Sequence, residues 1–437
     1  MKKIKIVYDW FGPTGPIPNL ETPNIYQLSS VLEEVQHSNR LSKKWRSSGI
    51  NSNFFSTMKD VFELIPSSEI KPEDTFVYPF ELHHEKPFPG YFIYDHSPGL
   101  FELSNTPGHI KHGIRSGNGY LLLEYSVEAE IYPYLYKTMH KYFSEHHIPL
   151  PKVFYQSGAP NGNELYTEWC NNENIPIDQR MNITFWDSNE WHLSRNFQGP
   201  QSNYIGNKDF KNIKTTFICL NRRYREHRIN LLMYFYKNDL LKDSFFSMPA
   251  EHPDSTGQVW KDVVNRTFAQ RIGLTEEDLN NIQNRLPLRV DIDTSYGDMV
   301  QDTMRKLRSW YEASLVCLVT ETQGNGAVQQ ISEKSYKPIY YKKPFMILST
   351  PGVLRYFRNH GYKTFSNWFP EDYDDIQNDY DRYIRVGEIC KEINLWDLET
   401  KKKFFEETLE IVDYNYQRLV EVYRDKNLSK TFWSKFL

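Results

Sequence analysis

The sequence predicts an α/β chain of two parallel-sheet domains, and three observations carry that expectation. Residues 315–319 and 344–348 are short apolar runs separated by one helix-length segment, as buried parallel strands joined by a crossover helix should be. The N-terminal half alternates strand-like runs with turns or helices, which favours a mostly parallel sheet. Between the two, residues 194–211 are rich in Gln, Gly, Asn and Pro with little apolar periodicity, which marks a boundary. The expected division is 1–205 for the first domain, 206–400 for the second, and 401–437 for a C-terminal helix that packs back on the first.

Each element has its own sequence warrant. Residues 4–8 form a strand ending at Asp9 and Trp10, followed by a loop with Gly12 and Gly15; a glycine-rich first loop of this kind is a weak signal that a flexible turn would share. Further strands are expected at 75–80, 91–94, 120–125, 153–156 and 183–186, with a helix at 127–146. Residues 214–221 read as the first strand of the second domain, running into a basic segment that contains Arg222, Arg223, Arg225 and Arg228 and then into an amphipathic helix at 229–240. The polar, turn-rich stretch 251–296 reads as an insertion or helical excursion within the second half. From Lys401 onward, Phe405, Leu409, Val412, Tyr416, Leu419 and Tyr423 recur at helical spacing, a stripe that belongs to a core.

Composition narrows the field. The chain has 437 residues, 39% hydrophobic and 25% charged, with net charge −4, which is no global footprint for nucleic acid or another polyanion. No run reaches membrane-spanning length, and the N-terminus lacks a long apolar stretch, so a cytoplasmic location is expected, in the host if the source is viral. Cys170, Cys219, Cys317 and Cys390 are too scattered for a zinc or redox motif. His109 and His112 have helical spacing, but the Pro-Gly before them argues against a helix, and no metal site is expected. Aromatic residues make up 15%, mostly as a compositional bias, with Trp10, Trp186 and Trp191 as candidates for an acceptor groove.

The chemistry concentrates after residue 319. In open α/β sheets, ligands collect outside the carboxyl ends of strands, where helix N-termini converge on anions. Ser332 is an expected N-cap, which puts Glu333 and Lys334 in the first helical turn. A lysine there opposes the helix dipole by about 0.3–1 kcal/mol unless a negative group lies nearby. The hypothesis is that a diphosphate supplies that charge through Lys334, with Lys337 one turn on, while Glu333 accepts from a ribose; the bland alternative has Lys334 in solvent and Glu333 as a simple cap. Pro338 argues for a late helix start or a kink.

The run Glu321-Thr-Gln-Gly-Asn-Gly, followed by Ser332-Glu333-Lys334 and a Lys-Pro-Phe, resembles the donor-nucleotide motif of the Lewis-type fucosyltransferases. It is also similar to a group of uncharacterised phage and bacterial glycosyltransferases with a Glu-Lys-x-x-Lys-Pro signature. The resemblance covers about fifty residues. It implies the two-domain glycosyltransferase B (GT-B) fold, a nucleotide-sugar co-substrate linked to UDP or GDP with no other cofactor, and inversion at the anomeric carbon. Gln323, Asn325, Glu333, Lys334 and Lys337 would then hold the donor, with Arg222 or Arg223 as a bidentate diphosphate clamp. A carboxylate base from the N-terminal half is implied, with Asp95 as first choice and Glu124 and Asp9 beside it.

Other assignments stay open. Asp291-Ile-Asp293 is a DxD pattern of the kind that holds a metal in the glycosyltransferase A fold. The acceptor could be a glycan, a small molecule or a hydroxymethylated base in phage DNA; for the last, Lys111, His112 and Arg115 beside Gly117 and Gly119 could contribute to a basic cleft. A non-catalytic glycan-binding or virion protein on the same fold is the alternative from a different class.

Overall fold

The computed structural model describes residues 4–8, 62–81, 106–125, 133–185, 187, 190, 204–250, 260–288 and 301–424. Two compact units emerge, Met1–Ser188 with Arg424–Leu437, and Asn189–Tyr423. The division falls before the 205/206 boundary drawn from composition, and two hydrogen bonds explain why. Tyr362 Oη donates to Glu190 at 2.6 Å, and Tyr204 Oη donates to Glu312 at 2.8 Å, which fastens a residue before the polar stretch and one within it to the second unit.

The first unit holds a six-stranded parallel sheet of β1 (Ile4–Tyr8), β2 (Phe62–Pro66), β3 (Phe76–Glu81), β4 (Gly119–Tyr125), β5 (Val153–Ser157) and β6 (Asn182–Phe185), in the order β2-β1-β3-β4-β5-β6. Helices α1 (Gly108–Ser116), α2 (Tyr134–Glu145) and α3 (Gly162–Asn172) connect the later strands. Helix α1 overturns the expectation that Pro-Gly would prevent one. Pro107 sits at the N-cap, where an N–H is not needed, so the proline does not interrupt the helix. The glycines serve packing: a Cβ on Gly113 or Gly119 would meet the Phe76 ring at 2.8 and 2.5 Å. His109 then contacts the Ser67 carbonyl and His112 faces Ser116, so the two imidazoles are occupied separately.

In the second unit, β7 (Thr215–Leu220), β8 (Ser244–Ser247), β9 (Ser314–Thr320) and β10 (Phe345–Leu348) form a parallel sheet in the order β10-β9-β7-β8. The chain runs from β7 through α4 (Glu226–Lys237) to β8, passes through α5 (Trp260–Val263), α6 (Arg266–Arg271), α7 (Glu276–Arg285) and α8 (Gln301–Glu312), and returns on the other side of β7 as β9. It continues through α9 (Glu333–Tyr340), β10, α10 (Val353–Asn359), α11 (Asp379–Asn394) and α12 (Leu398–Arg424). All of β7 except its last residue, and all of β9 and β10, are buried, as sheet strands covered on both faces should be.

Helix α4 differs from the amphipathic helix expected at 229–240. Its residues from His227 to Phe235 are all buried, because α11 covers the face turned from the sheet. Gly387 of α11 makes that approach feasible, since a Cβ there would lie 2.4 Å from the Tyr234 ring. Three polar side chains, His227, Arg228 and Asn230, are therefore carried into the interior. Helix α12 packs on its own unit, with Phe405 edge-on to Phe210, Asn415 exchanging two 2.8 Å hydrogen bonds with the Lys363 backbone, and Arg418 donating to the His360 carbonyl. Its buried stripe includes Phe405, Val412, Tyr416 and Leu419. Residues 425–437 of the expected bracing segment lie outside the described residues.

Candidate functional site

The order β10-β9-β7-β8 reverses direction between β7 and β9, so a crevice opens outside the carboxyl ends of these two neighbours. Asn221, fully buried just past β7, ties the strand ends together. Its N–H donates to Ser247 Oγ at 2.9 Å, and its side-chain oxygen accepts from Thr320 Oγ1 at 2.6 Å.

The first turn of α4 reaches across to the end of β9. His227 Nε2 lies 2.7 Å from the Glu321 carbonyl, so that nitrogen carries the proton. Burial, with the Arg228 charge beside it, holds the ring well below the usual histidine range, hence neutral. Arg228 donates to the carbonyls of Arg223 (3.3 Å), Thr320 (3.1 Å) and Glu321 (2.9 Å), while its buried Nε–H has no acceptor among the described residues. Burial pushes this guanidinium down to about 10, with Arg225 acting in the same direction, so it remains a cation at neutral pH. It stitches the loop after β7 to the loop after β9 and leaves a buried positive charge between them.

Glu321 is the structural acid of the site. Fully buried, it accepts from Thr322 N–H (3.0 Å), Ser332 N–H (3.0 Å), Ser332 Oγ (2.6 Å) and Ser335 Oγ (2.5 Å). Four donors on one carboxylate clamp the end of β9 to the start of α9. The loop between them is fixed by Gly324, whose carbonyl accepts from Arg382 (2.8 Å) and Tyr383 (2.9 Å), and whose missing Cβ leaves room for His227; a Cβ would lie 2.2 Å from that ring.

Ser332 is the N-cap, accepting from Lys334 N–H at 3.3 Å, as its sequence position predicts. The helix begins at Glu333 and runs through Pro338, so the late start suggested by the proline does not occur. The Lys334 ammonium is not left uncompensated. It lies 3.2 Å from Thr322 Oγ1, 3.2 Å from Ser332 Oγ and 3.3 Å from Glu333 Oε1. Glu333 also faces Lys337 at 3.4 Å. Burial acts to raise the Glu333 carboxyl, but the two ammoniums outweigh it and hold it well below the usual carboxylate range. The negative partner that sequence reasoning sought in a ligand is therefore supplied in the free chain by the neighbouring residue.

Beside this cluster lies a cleft of about 480 Å³, lined in part by Tyr224, Arg225, Glu226, His227, Thr322, Gln323 and Asn325. Thr322 belongs to both: it lines the cleft and contacts Lys334. Gln323 and Asn325 line this cleft from the loop after β9. The arginines are redistributed. Arg225 lines the cleft and Arg228 braces it from below, whereas Arg222 and Arg223 are half-buried in the preceding loop, and Arg223 takes part through its carbonyl. Arg228 was hidden from sequence reasoning because it donates to backbone carbonyls, which leave no side-chain pattern. A detectable signal did exist for Glu321, since Ser332 and Ser335 lie one helical turn apart.

Of the candidate bases, Glu124 stands at the C-terminal end of β4, in register with Glu81 and Gln156. Asp95 and Asp9 lie outside the described residues, as do Asp291, Asp293, Gly12, Gly15, Trp10, Trp186 and Trp191. Among the described residues no group of three or more His, Cys, Asp or Glu side chains could hold a metal, and no helix is long and apolar enough to cross a membrane. Lys111, His112 and Arg115 lie on α1, where Arg115 Nε donates to the His146 carbonyl at 3.0 Å. All four cysteines are buried and free.

No family model and no curated protein matches the chain. Solved structures that resemble it include a UDP-forming α,α-trehalose-phosphate synthase from Burkholderia vietnamiensis (9% identity, 100% of both chains, TM-score 0.43) and one from Burkholderia xenovorans (8% identity, 100% of this chain and 99% of that one, TM-score 0.44). A third is the N-terminal domain of Candida albicans trehalose-6-phosphate phosphatase (10% identity, 100% of this chain and 97% of that one, TM-score 0.47). Likenesses this distant leave activity to be argued from the crevice itself.

Proposed function

We propose that the chain is a glycosyltransferase that moves a sugar from a nucleoside-diphosphate sugar to an acceptor hydroxyl. The observation that carries this proposal is the Ser332-Glu333-Lys334 turn at the β7/β9 switch point, where two ammoniums, a helix N-terminus and a cleft meet within one unit. Sugar transfer requires stabilisation of a departing nucleoside diphosphate, and preorganised cations are suited to that task. Lys334, Lys337 and Arg225 would neutralise the developing charge, with the buried Arg228 adding to the local potential. Gln323 and Asn325 would contact the nucleoside in the cleft.

The donor motif's resemblance to the Lewis-type fucosyltransferases favours metal-independent transfer with inversion. Inversion needs a base opposite the leaving group, and Asp95, Glu124 and Asp9 of the first unit are the candidates. The acceptor is a glycan, a small molecule or a modified DNA base.

The test is a mass-spectrometric screen of UDP- and GDP-sugars with the full-length chain, with and without a chelator. Turnover of one donor that persists in chelator is the expected result. Failure to turn over or bind any nucleotide sugar would leave a non-catalytic binding protein as the better account. Activity that vanishes in chelator and in Asp291→Ala, while Lys334→Ala is harmless, would transfer the donor site to the DxD pattern.

A further inference from the structure

Asn118-Gly119, Asn161-Gly162 and Asn325-Gly326 are Asn-Gly pairs that the fold holds in different ways. In such a pair the glycine main-chain nitrogen can attack the asparagine side-chain amide, because the glycine carries no side chain to obstruct the approach. Asn118 and Asn325 have glycine on both sides, so local sequence does not tell them apart. Gly119 opens β4, and a Cβ on it would meet the Phe76 ring at 2.5 Å and the Gly113 backbone at 3.0 Å, so its main chain is packed in place. Gly162 opens α3, where its N–H donates to the Ala159 carbonyl at 3.0 Å and its own carbonyl accepts from Tyr136 Oη at 3.0 Å. Gly326 is held far less. It is exposed at φ +79°, no atom beyond its chain neighbours lies within 4 Å of where its Cβ would stand, and its N–H makes a 3.3 Å contact with Asp379 Oδ2. Asn325 is exposed as well, and its side-chain amide has no hydrogen-bond partner among the described residues.

We propose that Asn325 is a site of spontaneous deamidation, and that the change places a carboxylate in the wall of the cleft that Asn325 lines. The Gly326 nitrogen forms a bond to Asn325 Cγ, the bond from Cγ to the side-chain nitrogen breaks, and that nitrogen leaves as ammonia with the proton given up by the Gly326 N–H. The Asp379 carboxylate, fixed by its ion pair with Arg382, already accepts this N–H and is placed to take the proton as it departs. Water then opens the cyclic imide at either carbonyl and gives aspartate or isoaspartate. In the second product the main chain runs through the former side chain and is longer by one carbon. The cleft is lined also by Arg225, and Thr322 joins it to Lys334. A carboxylate at position 325 competes with an anionic ligand for these cations, so the modification weakens binding of a nucleoside diphosphate. This consequence rests on the donor-site assignment above; the modification itself does not.

The test is peptide mapping by mass spectrometry of the full-length wild type held in mildly alkaline buffer, both native and in urea, following the aspartyl and isoaspartyl forms at all three pairs. In the native protein Asn325 should convert faster than Asn118 and Asn161, on the order of tenfold, and in urea Asn325 and Asn118 should convert at similar rates, because only the fold separates them. An Asn325 that converts no faster than the other two in the native protein, or that keeps its full lead over Asn118 in urea, would overturn the proposal. Calorimetric titration of GDP and UDP into the wild type and Asn325→Asp reads the consequence. The nucleotide that the wild type prefers should bind the variant about threefold more weakly, the effect of one exposed charge. Equal affinity in the two proteins would overturn the consequence. A wild type that binds neither nucleotide would overturn the donor-site assignment, whereas the order of conversion at the three pairs decides the modification by itself.

Discussion

The two ends of the β9–β10 strand pair treat a lysine in opposite ways. At the carboxyl end, Lys334 is 30% exposed and surrounded by oxygens from Thr322, Ser332 and Glu333. At the other end, Lys343 lies two residues before β10 and is only 2% exposed, with its ammonium 5.8 Å from the Phe405 ring centroid. Burial pushes Lys343 down to about 7, and the influences of Cys317 and Glu312 do not restore it. Both are lysines near the ends of buried strands, yet only the first combines acceptors with access. The difference teaches that burial of a charge does not mark a site; what marks one is a charge that the fold supplies with partners and still leaves within reach of a ligand.

The comparison can be broken most severely at Glu321, which holds the crevice end together. Glu321→Ala leaves four buried donors without their acceptor and should destabilise the chain by about 3–5 kcal/mol. Urea denaturation would measure it, and a loss under about 1 kcal/mol would refute the clamp.

Gly324→Ala tests the same end more gently. The new methyl would press on the buried His227 ring, a contact that calls for a shift of one loop or the other, at about 1–3 kcal/mol. A thermal midpoint unchanged from wild type would mean that the loop is not seated as described.

At the opposite end the sign reverses. Between pH 7 and pH 10.5 the unfolded chain holds the Lys343 proton and the folded chain releases it, so stability rises with pH across that window, and the penalty is fully present below pH 7. Lys343→Met should therefore raise stability near pH 6 by on the order of 2 kcal/mol and flatten the rise towards pH 10. A destabilised variant with an unchanged pH profile would show that Lys343 has a favourable partner.

The smallest effect is expected from Asp291→Ala and Asp293→Ala, which should leave donor affinity within a factor of about two if the lysine end is the donor site.

Much of this end of the molecule was legible in the sequence, because its signals are local. β9 and β10 announce themselves as apolar runs, and Ser332 caps the helix where its spacing predicts. β2 and β8 did not, since β8 is only Ser244–Ser247 and both depend on sheet neighbours distant in sequence. Helix α1 was concealed by glycines whose purpose is to admit Phe76, a residue far upstream. The role of Arg228 was equally hidden, because backbone carbonyls of Arg223, Thr320 and Glu321 satisfy it. Tertiary partners of this kind leave no periodicity to read. The same limit explains why Lys334 looked unpaired, although Glu333 was adjacent: chain proximity does not reveal which way two side chains turn.

The central claim is that the Lys334 end of the sheet binds a nucleoside diphosphate. Calorimetric titration of GDP and UDP into the wild type and Lys334→Ala tests it most directly. The account predicts that one nucleotide binds the wild type and that the variant weakens it by about 10- to 100-fold with its unfolding midpoint preserved. Equal affinity in the two proteins would contradict it.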